Sequence, residues 1–245
     1  MNNYLCIDPR DRFVVKDGRP YLGQRPHGGE AVRIDGQSWA VRVPEEYVDR
    51  QASDVGGEVA AGLEFLTEPK LARVVALLRH RDNFRFDPSD GSPLTFDEDG
   101  IIGHGERHSP IFPRIDPAVI GIVELAGRNQ ILLGRNAFRS RGFFSLIAGY
   151  VDPGETLEQA FAREVLEETG RRVHDITYWG SQPWPPSGSL MIGFHAFTDD
   201  IDATAETDGE LAETRWVDAH TIGEVTLPRS GSIAHQMISD WLANH

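Results

Sequence analysis

The stretch from Gly149 to Arg172 constrains the chain more than any other, because it predicts an amphipathic helix with acidic residues on its apolar side. Thr156 followed three positions later by Gln159 forms a capping box, which satisfies the free backbone amides of a first helical turn. Gly170 tolerates the left-handed backbone that commonly ends a helix. The sequence therefore predicts a helix that begins at Thr156 and stops at Gly170.

One face of this helix should pack against a core. At about 100° per residue, four apolar side chains share an arc of roughly 140°, namely Leu157, Ala160, Phe161 and Val165. Glu164 and Glu168 fall inside the same arc. A carboxylate on a packing face is poorly solvated unless a cation or several donors compensate. A solvated outer face, the ordinary interpretation of a Glu-rich helix, therefore fits this helix poorly.

Glu164, Glu167 and Glu168 stand at i, i+3 and i+4, so their carboxylates can converge. Arg163 alone cannot neutralise three carboxylates, whereas oxygen-rich clusters suit hard divalent cations, Mg²⁺ or Mn²⁺. The preceding loop, Gly149 to Glu155, turns immediately before the helix, and backbone amides at a helix N-terminus attract anions. The combination of cations and an anion-binding loop indicates a diphosphate substrate.

These residues resemble the Nudix hydrolase box: Gly149, then Glu155 after five residues, then the run Arg163–Gly170 after seven more. Arg171 stands where the family usually has an apolar residue, and Val173 is expected to take over that packing without disturbing the metal site. The resemblance implies an α/β fold, a Nudix-type α/β/α sandwich with a mixed sheet, preceded by a smaller β-rich N-terminal domain.

The chain of 245 residues divides by pattern into three predicted regions: a β-rich domain with a closing helix at 1–81, a linker at 82–112 and a catalytic domain at 113–245. The first region contains two predicted hairpins, turning at Asp17-Gly18 and at Asp35-Gly36, and a helix over Lys70–Arg81. In the third region, strands are predicted at 118–124, 130–134, 177–182, 190–198 and 215–217, with a closing amphipathic helix at 232–243 that buries Ile233, Met237, Ile238, Trp241 and Leu242.

A segment ten residues beyond the helix offers groups for substrate recognition. It runs from Ser181 to Met191 and supplies Trp184 as a flat apolar surface and Gln182 as an amide that can read a base edge. Its prolines equally fit a rigid turn at a strand end. The segment resembles the SQPWPFP signature of NADH pyrophosphatases, with Pro186 in place of Phe and Ser187 in place of Pro.

That resemblance carries further roles onto this chain. Phe112 would contact the nucleotide, Tyr150 would stack on the nicotinamide, and the backbone of Ala234 would contact the adenine side. Glu210 and the carbonyl of Ala148 would bind metal. The complete candidate set is catalytic Glu164, Glu167 and Glu168; metal-binding Ala148, Glu164, Glu167, Glu168 and Glu210; and substrate-binding Phe112, Tyr150, Gln182, Trp184, Ser189 and Ala234.

The family normally carries a four-cysteine zinc ribbon, which this chain lacks because its single cysteine is Cys6. Residues 82–112 look like a ribbon whose ligands were replaced. Asp87, Asp90, His104 and His108 could in principle hold a metal, but a ribbon kept by packing and hydrogen bonds is the favoured interpretation. We therefore expect no zinc.

The net charge of −14 excludes a general nucleic-acid-binding surface, which needs clustered cations. It does not exclude an enzyme that takes only the end of an RNA chain. The N-terminus resembles no signal peptide and no apolar run reaches membrane-spanning length, which predicts a cytoplasmic protein without a membrane partner. The resemblance also implies a homodimer.

The leading hypothesis is hydrolysis of the diphosphate of NADH or NAD⁺ to AMP and nicotinamide mononucleotide with Mg²⁺ or Mn²⁺. Another Nudix substrate is the alternative, such as ADP-ribose or the NAD cap at the 5′ end of RNA. A nucleotide sensor that does not cleave its ligand is a further alternative. Which helix glutamate accepts the proton of the attacking water is left open by the sequence.

Overall fold

The computed structural model describes residues 3–65, 67–107, 109–138 and 142–245. His108, one of the four residues considered for a metal in the linker, lies outside them. The chain forms two compact units by internal contact: Met1–Ile115 with Trp184–Gly188, and Asp116–Pro183 with Ser189–His245. The predicted boundaries at 81 and 112 remain predictions.

The first unit contains small sheets and two helices in its described residues. Its strands are β1 (Asn3–Ile7), β2 (Arg12–Lys16), β3 (Arg19–Pro20), β4 (Ala31–Arg33), β5 (Ser38–Arg42), β6 (Glu58–Ala61), β7 (Thr95–Phe96), β8 (Gly103–His104) and β9 (Pro110–Ile111), and its helices are α1 (Glu45–Val55) and α2 (Pro69–Asn83). Antiparallel β2–β3 and β4–β5 confirm both predicted hairpins, and α2 confirms the predicted helix.

Helix α1 was not predicted. It buries only Val48 and Ala52, so its apolar pattern in the sequence is short. The strands of this unit pair in three separate sheets, in the orders β1-β5-β4, β3-β2-β6 and β7-β8-β9. The last sheet occupies the part of the chain that resembles a zinc ribbon.

The second unit is built on one mixed sheet between two helices. Its elements are β10 (Asp116–Leu125), β11 (Gln130–Asn136), β12 (Ile147–Tyr150), α3 (Leu157–Thr169), β13 (His174–Trp184), β14 (Ser189–Thr198), β15 (Leu211–Val217) and α4 (Ile233–Ala243). The strand order is β13-β14-β10-β11-β15, and β12 also pairs with β10. The β10–β14 pair is parallel, whereas β11 and β12 run antiparallel to β10.

Alternate residues of β10 face different helices, as the two-residue period of a strand requires. Ile120 and Ile122 pack in the cluster that contains α4. Val119 and Val123 pack in the cluster that contains α3. The described residues of this unit thus confirm the predicted α/β/α sandwich with a mixed sheet, and α4 buries the predicted apolar face.

Helix α3 begins and ends as the sequence predicts. Both hydrogen bonds of the capping box between Thr156 and Gln159 are present, and Gly170 caps the C-terminus with φ of 69°. Phe161 and Val165 are fully buried in the core below the helix. Among the described residues, no helix is both long and apolar enough to cross a membrane.

Candidate active site

The inward face of α3 presents carboxylates at different depths. Glu168 is only 5% exposed, and its Oε1 atom is buried with no hydrogen-bond partner. Glu164 is partly buried and Glu167 is exposed. A buried carboxylate oxygen without a donor is costly, so Glu168 is the residue of this helix that most needs an added cation.

Arg163 binds acidic groups of the helix and of the loop before it. Its Nε donates to Glu155 Oε1 at 2.7 Å, and its Nη1 donates to Glu164 Oε1 at 2.9 Å and to Glu167 Oε2 at 3.0 Å. Its Nη2 also donates to the Tyr150 carbonyl at 2.9 Å, which ties the helix to the end of β12. These contacts raise the pKa of Arg163 and, through the same ion pair, lower the pKa of Glu155.

The pKa values of the inward carboxylates shift in the opposite direction. Burial, together with the nearby charges of Glu210 and Glu164, raises the pKa of Glu168 to about 8. Burial also raises the pKa of Glu164, although Arg163 opposes that shift. The negative charges of Glu164 and Glu210 thus act on Glu168, and the charge of Glu210 also acts on Glu164, as expected for neighbouring carboxylates.

A cavity of about 120 Å³ connects three of the predicted metal-binding residues. Ala148, Glu168 and Glu210 all line it, together with Asn136 and Ser145. Asn136 Nδ2 donates to Glu210 Oε1 at 3.1 Å and so holds this carboxylate at the cavity wall. Asn136 was not among the predicted residues, because its role depends on contact with a residue far along the chain.

The residues around this cavity fit a divalent cation. The carboxylate oxygen without a donor, the raised pKa values of Glu164 and Glu168 and the all-oxygen donor set suit Mg²⁺ or Mn²⁺. Within the described ranges, no group of three His, Cys, Asp or Glu side chains is already arranged as a closed metal site. Glu164 and Glu167 both accept hydrogen bonds from the Arg163 guanidinium.

Gly149 lets the carboxylate of Glu164 approach the loop backbone. A Cβ atom at this position would lie 2.0 Å from the carboxyl carbon of Glu164 and 2.2 Å from both of its oxygens. Any side chain would therefore displace Glu164. Glycine at position 149 therefore provides the space that the candidate metal-binding carboxylate of Glu164 occupies.

Two of the predicted substrate residues lie together. Ser189 Oγ donates to the Tyr150 hydroxyl at 3.3 Å, Ser189 is buried, and the Tyr150 side chain is 53% exposed. An exposed ring fixed at its hydroxyl end offers a face for stacking on a planar ligand. Their roles toward a substrate remain predictions.

Gln182 has a structural role that the sequence interpretation did not foresee. Its Nε2 donates to the Gly231 carbonyl at 2.8 Å, and its Oε1 accepts from the Ile233 amide at 2.7 Å. The side-chain amide therefore secures the start of α4, where Ala234 is buried. A contact of Gln182 with a base edge would have to compete with these backbone bonds.

Trp184 and Phe112 belong to the first unit. Trp184 ends β13 and is partly buried, whereas Phe112 is 62% exposed. The residues after Trp184 form a turn, in which the Gly188 amide donates to the Pro185 carbonyl at 3.1 Å. The strand-end turn considered for this proline-rich segment is thus present, and the two recognition roles stay predictions.

The linker aspartates bind their own loop. Asp87 Oδ1 accepts from the amide and hydroxyl of Ser89, and Asp90 Oδ1 accepts from the amide and hydroxyl of Ser92. Asp87 is buried, and its Oδ2 has no partner. Whether zinc is absent stays a prediction.

Comparison with known proteins identifies relatives of this chain. The NUDIX domain matches residues 115–242. The NAD-capped RNA hydrolase NudC of Mycobacterium bovis is 35% identical over 274 aligned positions, which cover 98% of this chain and 85% of that protein. The NAD-capped RNA hydrolase NUDT12 of Homo sapiens is 31% identical over 190 positions, which cover 70% of this chain and 41% of that protein.

Solved structures show the same fold. A crystal structure of a NUDIX hydrolase from Nitrosomonas europaea superposes with a TM-score of 0.53, covering 66% of this chain and 92% of that one. Its sequence is 23% identical, so this likeness concerns the fold alone.

Proposed function

This chain belongs to the Nudix hydrolase family, and from that premise we propose that it hydrolyses the diphosphate of a nicotinamide–adenine dinucleotide. The observation that carries the proposal is the partnerless Oε1 of Glu168, in a residue that lines one cavity with Glu210 and Ala148. Nudix hydrolases generally use a divalent cation such as Mg²⁺ or Mn²⁺.

The NAD cap at the 5′ end of RNA is the favoured substrate. The relatives NudC and NUDT12 are named NAD-capped RNA hydrolases, and NudC aligns with nearly the whole chain. The net charge of −14 is compatible with this substrate if the protein binds the capped end rather than the body of the RNA. Free NADH or NAD⁺ is the second candidate, supported by the segment from Ser181 that resembles the NADH pyrophosphatase signature.

The cation would be held by Glu164, Glu168, Glu210 and the Ala148 carbonyl, with Glu167 assisting. When bound, it supplies positive charge beside the diphosphate and lowers the pKa of a water molecule. Arg163 holds Glu164 and Glu167 in advance of substrate, which reduces the ordering needed on binding.

The proton of the attacking water is taken by one of the helix glutamates, Glu164, Glu167 or Glu168. The water oxygen forms a bond to one phosphorus, and the bond from that phosphorus to the bridging oxygen breaks. The bridging oxygen leaves on the second phosphate. The products from free dinucleotide are AMP and nicotinamide mononucleotide; from capped RNA, they are nicotinamide mononucleotide and RNA with a 5′-monophosphate.

A product assay tests this function. The purified chain is incubated with Mn²⁺ and, separately, with NAD-capped RNA, NADH and ADP-ribose, and products are separated by chromatography. We expect capped RNA to be cleaved to nicotinamide mononucleotide at a higher kcat/KM than NADH is cleaved to reduced nicotinamide mononucleotide. A higher kcat/KM for hydrolysis of ADP-ribose than for hydrolysis of either nicotinamide substrate would contradict the proposed substrate class, and binding without product would favour a sensor.

Three further properties are kept as proposals. A homodimer is implied by the family resemblance and is testable by light scattering. A cytoplasmic location follows only from sequence features. Purification without added zinc should give well under one zinc per chain, and stoichiometric zinc would contradict that expectation.

A further inference from the structure

The segment from residue 199 to residue 210 joins β14 to β15 and ends at Glu210. Every residue from Ile201 to Glu210 is exposed. No apolar side chain of these residues is therefore buried in the core. Its position therefore depends on hydrogen bonds to neighbouring elements.

The C-terminal end of α3 supplies one set of these bonds. The Gly170 carbonyl accepts from the Thr204 amide at 2.7 Å and from the Ala205 amide at 3.1 Å, and the Glu167 carbonyl accepts from the Asp208 amide at 2.9 Å. The last carbonyls of a helix have no partner within the helix, so they are available to the segment. The helix that carries the candidate catalytic glutamates thus also holds the segment that carries Glu210.

Arg171 supplies the second set. It is 7% exposed, and its Nη2 and Nε donate to the Ile201 carbonyl at 2.9 and 3.3 Å. Trp216 Nε1 donates to the same carbonyl at 3.0 Å, and the Arg171 guanidinium lies over the Trp216 ring. Nη1 of Arg171 donates to the Thr169 carbonyl at 2.8 Å, which ties the guanidinium to the end of α3.

We propose that Arg171 is a positioning residue for Glu210, acting by fixing the segment at Ile201. An apolar residue, which the Nudix box usually has at this position, could not donate to the Ile201 carbonyl. Two further hydrogen bonds lie between Ile201 and the site. The Asp208 amide donates to the Glu167 carbonyl of α3, and the Glu210 amide donates to Asp208 Oδ1 at 2.8 Å. The inference rests on the proposed function in taking Glu210 as a metal ligand.

The test is the affinity of the full chain for Mn²⁺ alone, measured by calorimetry and by electron paramagnetic resonance. Arg171→Leu should weaken Mn²⁺ binding about tenfold, as removal of residues that orient metal ligands typically does. Arg172→Leu is the matched control, because Arg172 is exposed and only its backbone amide bonds the segment, through Asp200. The control should bind Mn²⁺ like the unmodified chain.

A double-mutant cycle separates positioning of Glu210 from a general loss of structure. Glu210→Gln should weaken Mn²⁺ binding by itself, and adding Arg171→Leu should weaken it by less than twofold more. Full additivity, or normal affinity in Arg171→Leu, overturns the proposal while leaving Glu210 as a ligand. Normal affinity in Glu210→Gln overturns both this inference and the metal assignment beneath it, whereas failure of nucleotide hydrolysis alone would concern only the proposed reaction.

Trp216→Phe provides a second route if Arg171→Leu folds poorly. It removes one donor to the Ile201 carbonyl and keeps a ring beneath Arg171, so Mn²⁺ binding should weaken two- to fivefold. Cleavage after the exposed Glu206 by endoproteinase Glu-C should also become severalfold faster. Unchanged cleavage together with unchanged Mn²⁺ affinity would overturn the proposal.

Discussion

Among the described residues, each unit contains buried acids with partners and a buried acid with a partnerless oxygen, Asp87 in the first unit and Glu168 in the second. In the first unit, Asp8 is fully buried and accepts from the Arg12 amide at 2.8 Å and from Arg12 Nε at 2.6 Å. Asp11 is 5% exposed and binds Arg42 Nη1 at 3.0 Å and Arg79 Nε at 2.6 Å. In the second unit, Glu168 is also 5% exposed, yet one of its oxygens has no partner.

The contrast separates acids whose hydrogen bonds support the fold from Glu168, the acid that we propose to serve the reaction. Asp87 belongs with the first group, because its other oxygen accepts two hydrogen bonds from Ser89. Glu124, in the same unit as Glu168, is equally buried but accepts from Trp241 Nε1 at 2.9 Å and lies 2.9 Å from His195 Nε2. Buried carboxylates with hydrogen-bond partners therefore occur in both units. A buried carboxylate without a hydrogen-bond donor lowers the stability of the fold. Because Glu168 lines a cavity, we interpret this loss of stability as the consequence of keeping an oxygen available to a cation.

Removing a paired acid should give the largest effect. Asp11→Ala leaves Arg42 and Arg79 without their shared carboxylate, and breaking a buried ion pair in this way costs about 3–5 kcal/mol. Urea unfolding of the two proteins measures the difference. A loss below about 1 kcal/mol would mean that these pairs behave like surface salt bridges, and the contrast with Glu168 would fail.

Removing the unpaired acid should affect activity instead. Glu168→Gln should lower kcat by about 10²–10³-fold, as loss of one preorganised catalytic group commonly does. Above pH 8, the metal-free protein should melt at the same or a higher temperature, because the variant lacks a poorly solvated carboxylate. Glu158→Gln, at an exposed position of the same helix, is the control. Near-normal turnover in Glu168→Gln would refute the assignment.

Gly149→Ala tests the position of a carboxylate beside Glu168, because it should displace Glu164 without removing it. The added methyl group would displace Glu164, so we expect kcat/KM to fall about tenfold, or about 1.4 kcal/mol, with a smaller change in stability. Gly180→Ala is the matched variant, since a Cβ there meets nothing within 4 Å. Equal activity in the two variants would show that the position of Glu164 is not critical.

His80 tests whether an unpaired buried group always indicates function. It is 7% exposed, both ring nitrogens lack partners, and burial lowers its pKa below the usual 6.5. The folded protein keeps His80 neutral while the unfolded chain takes up a proton below pH 6.5, so stability falls as pH decreases from there, by at most about 1.4 kcal/mol per pH unit.

In His80→Leu this pH dependence should be weaker, with enzymatic activity per folded molecule unchanged. Urea unfolding between pH 7.5 and 5.5 measures it. Identical profiles for the two proteins would show that His80 becomes protonated without unfolding. A neutral histidine can remain unpaired at modest cost, which is why the absence of a partner is informative chiefly for a carboxylate beside a cavity.

Features set by neighbouring residues were predictable from the sequence. The capping box, the apolar face of α3 and the hairpins depend on spacings of a few positions, and all are present. The family resemblance added Glu210, which lines the same cavity as Glu168 and whose metal-binding role stays a prediction. The bonds of Gln182 to Gly231 and Ile233 join residues 49 and 51 positions apart, and no local pattern encodes them.

The same limit applies to Arg171. Its sequence position indicated only a departure from an apolar preference, with Val173 as the expected substitute. Val173 does pack on the core below α3, but Arg171 is buried as well and binds a carbonyl 30 positions away. The Asp11–Arg79 pair spans 68 positions. Such contacts exist only once the chain has folded, so spacing in the sequence cannot reveal them.

Strand β10 lies inside the sheet with a neighbour along each edge and a helix over each face. Its backbone amides from Val119 to Val123 should therefore exchange hydrogen for deuterium only when the second unit opens as a whole. Their exchange rate therefore reports how often the second unit unfolds. A variant that slows catalysis without changing this rate has altered the reaction and not the stability of the fold.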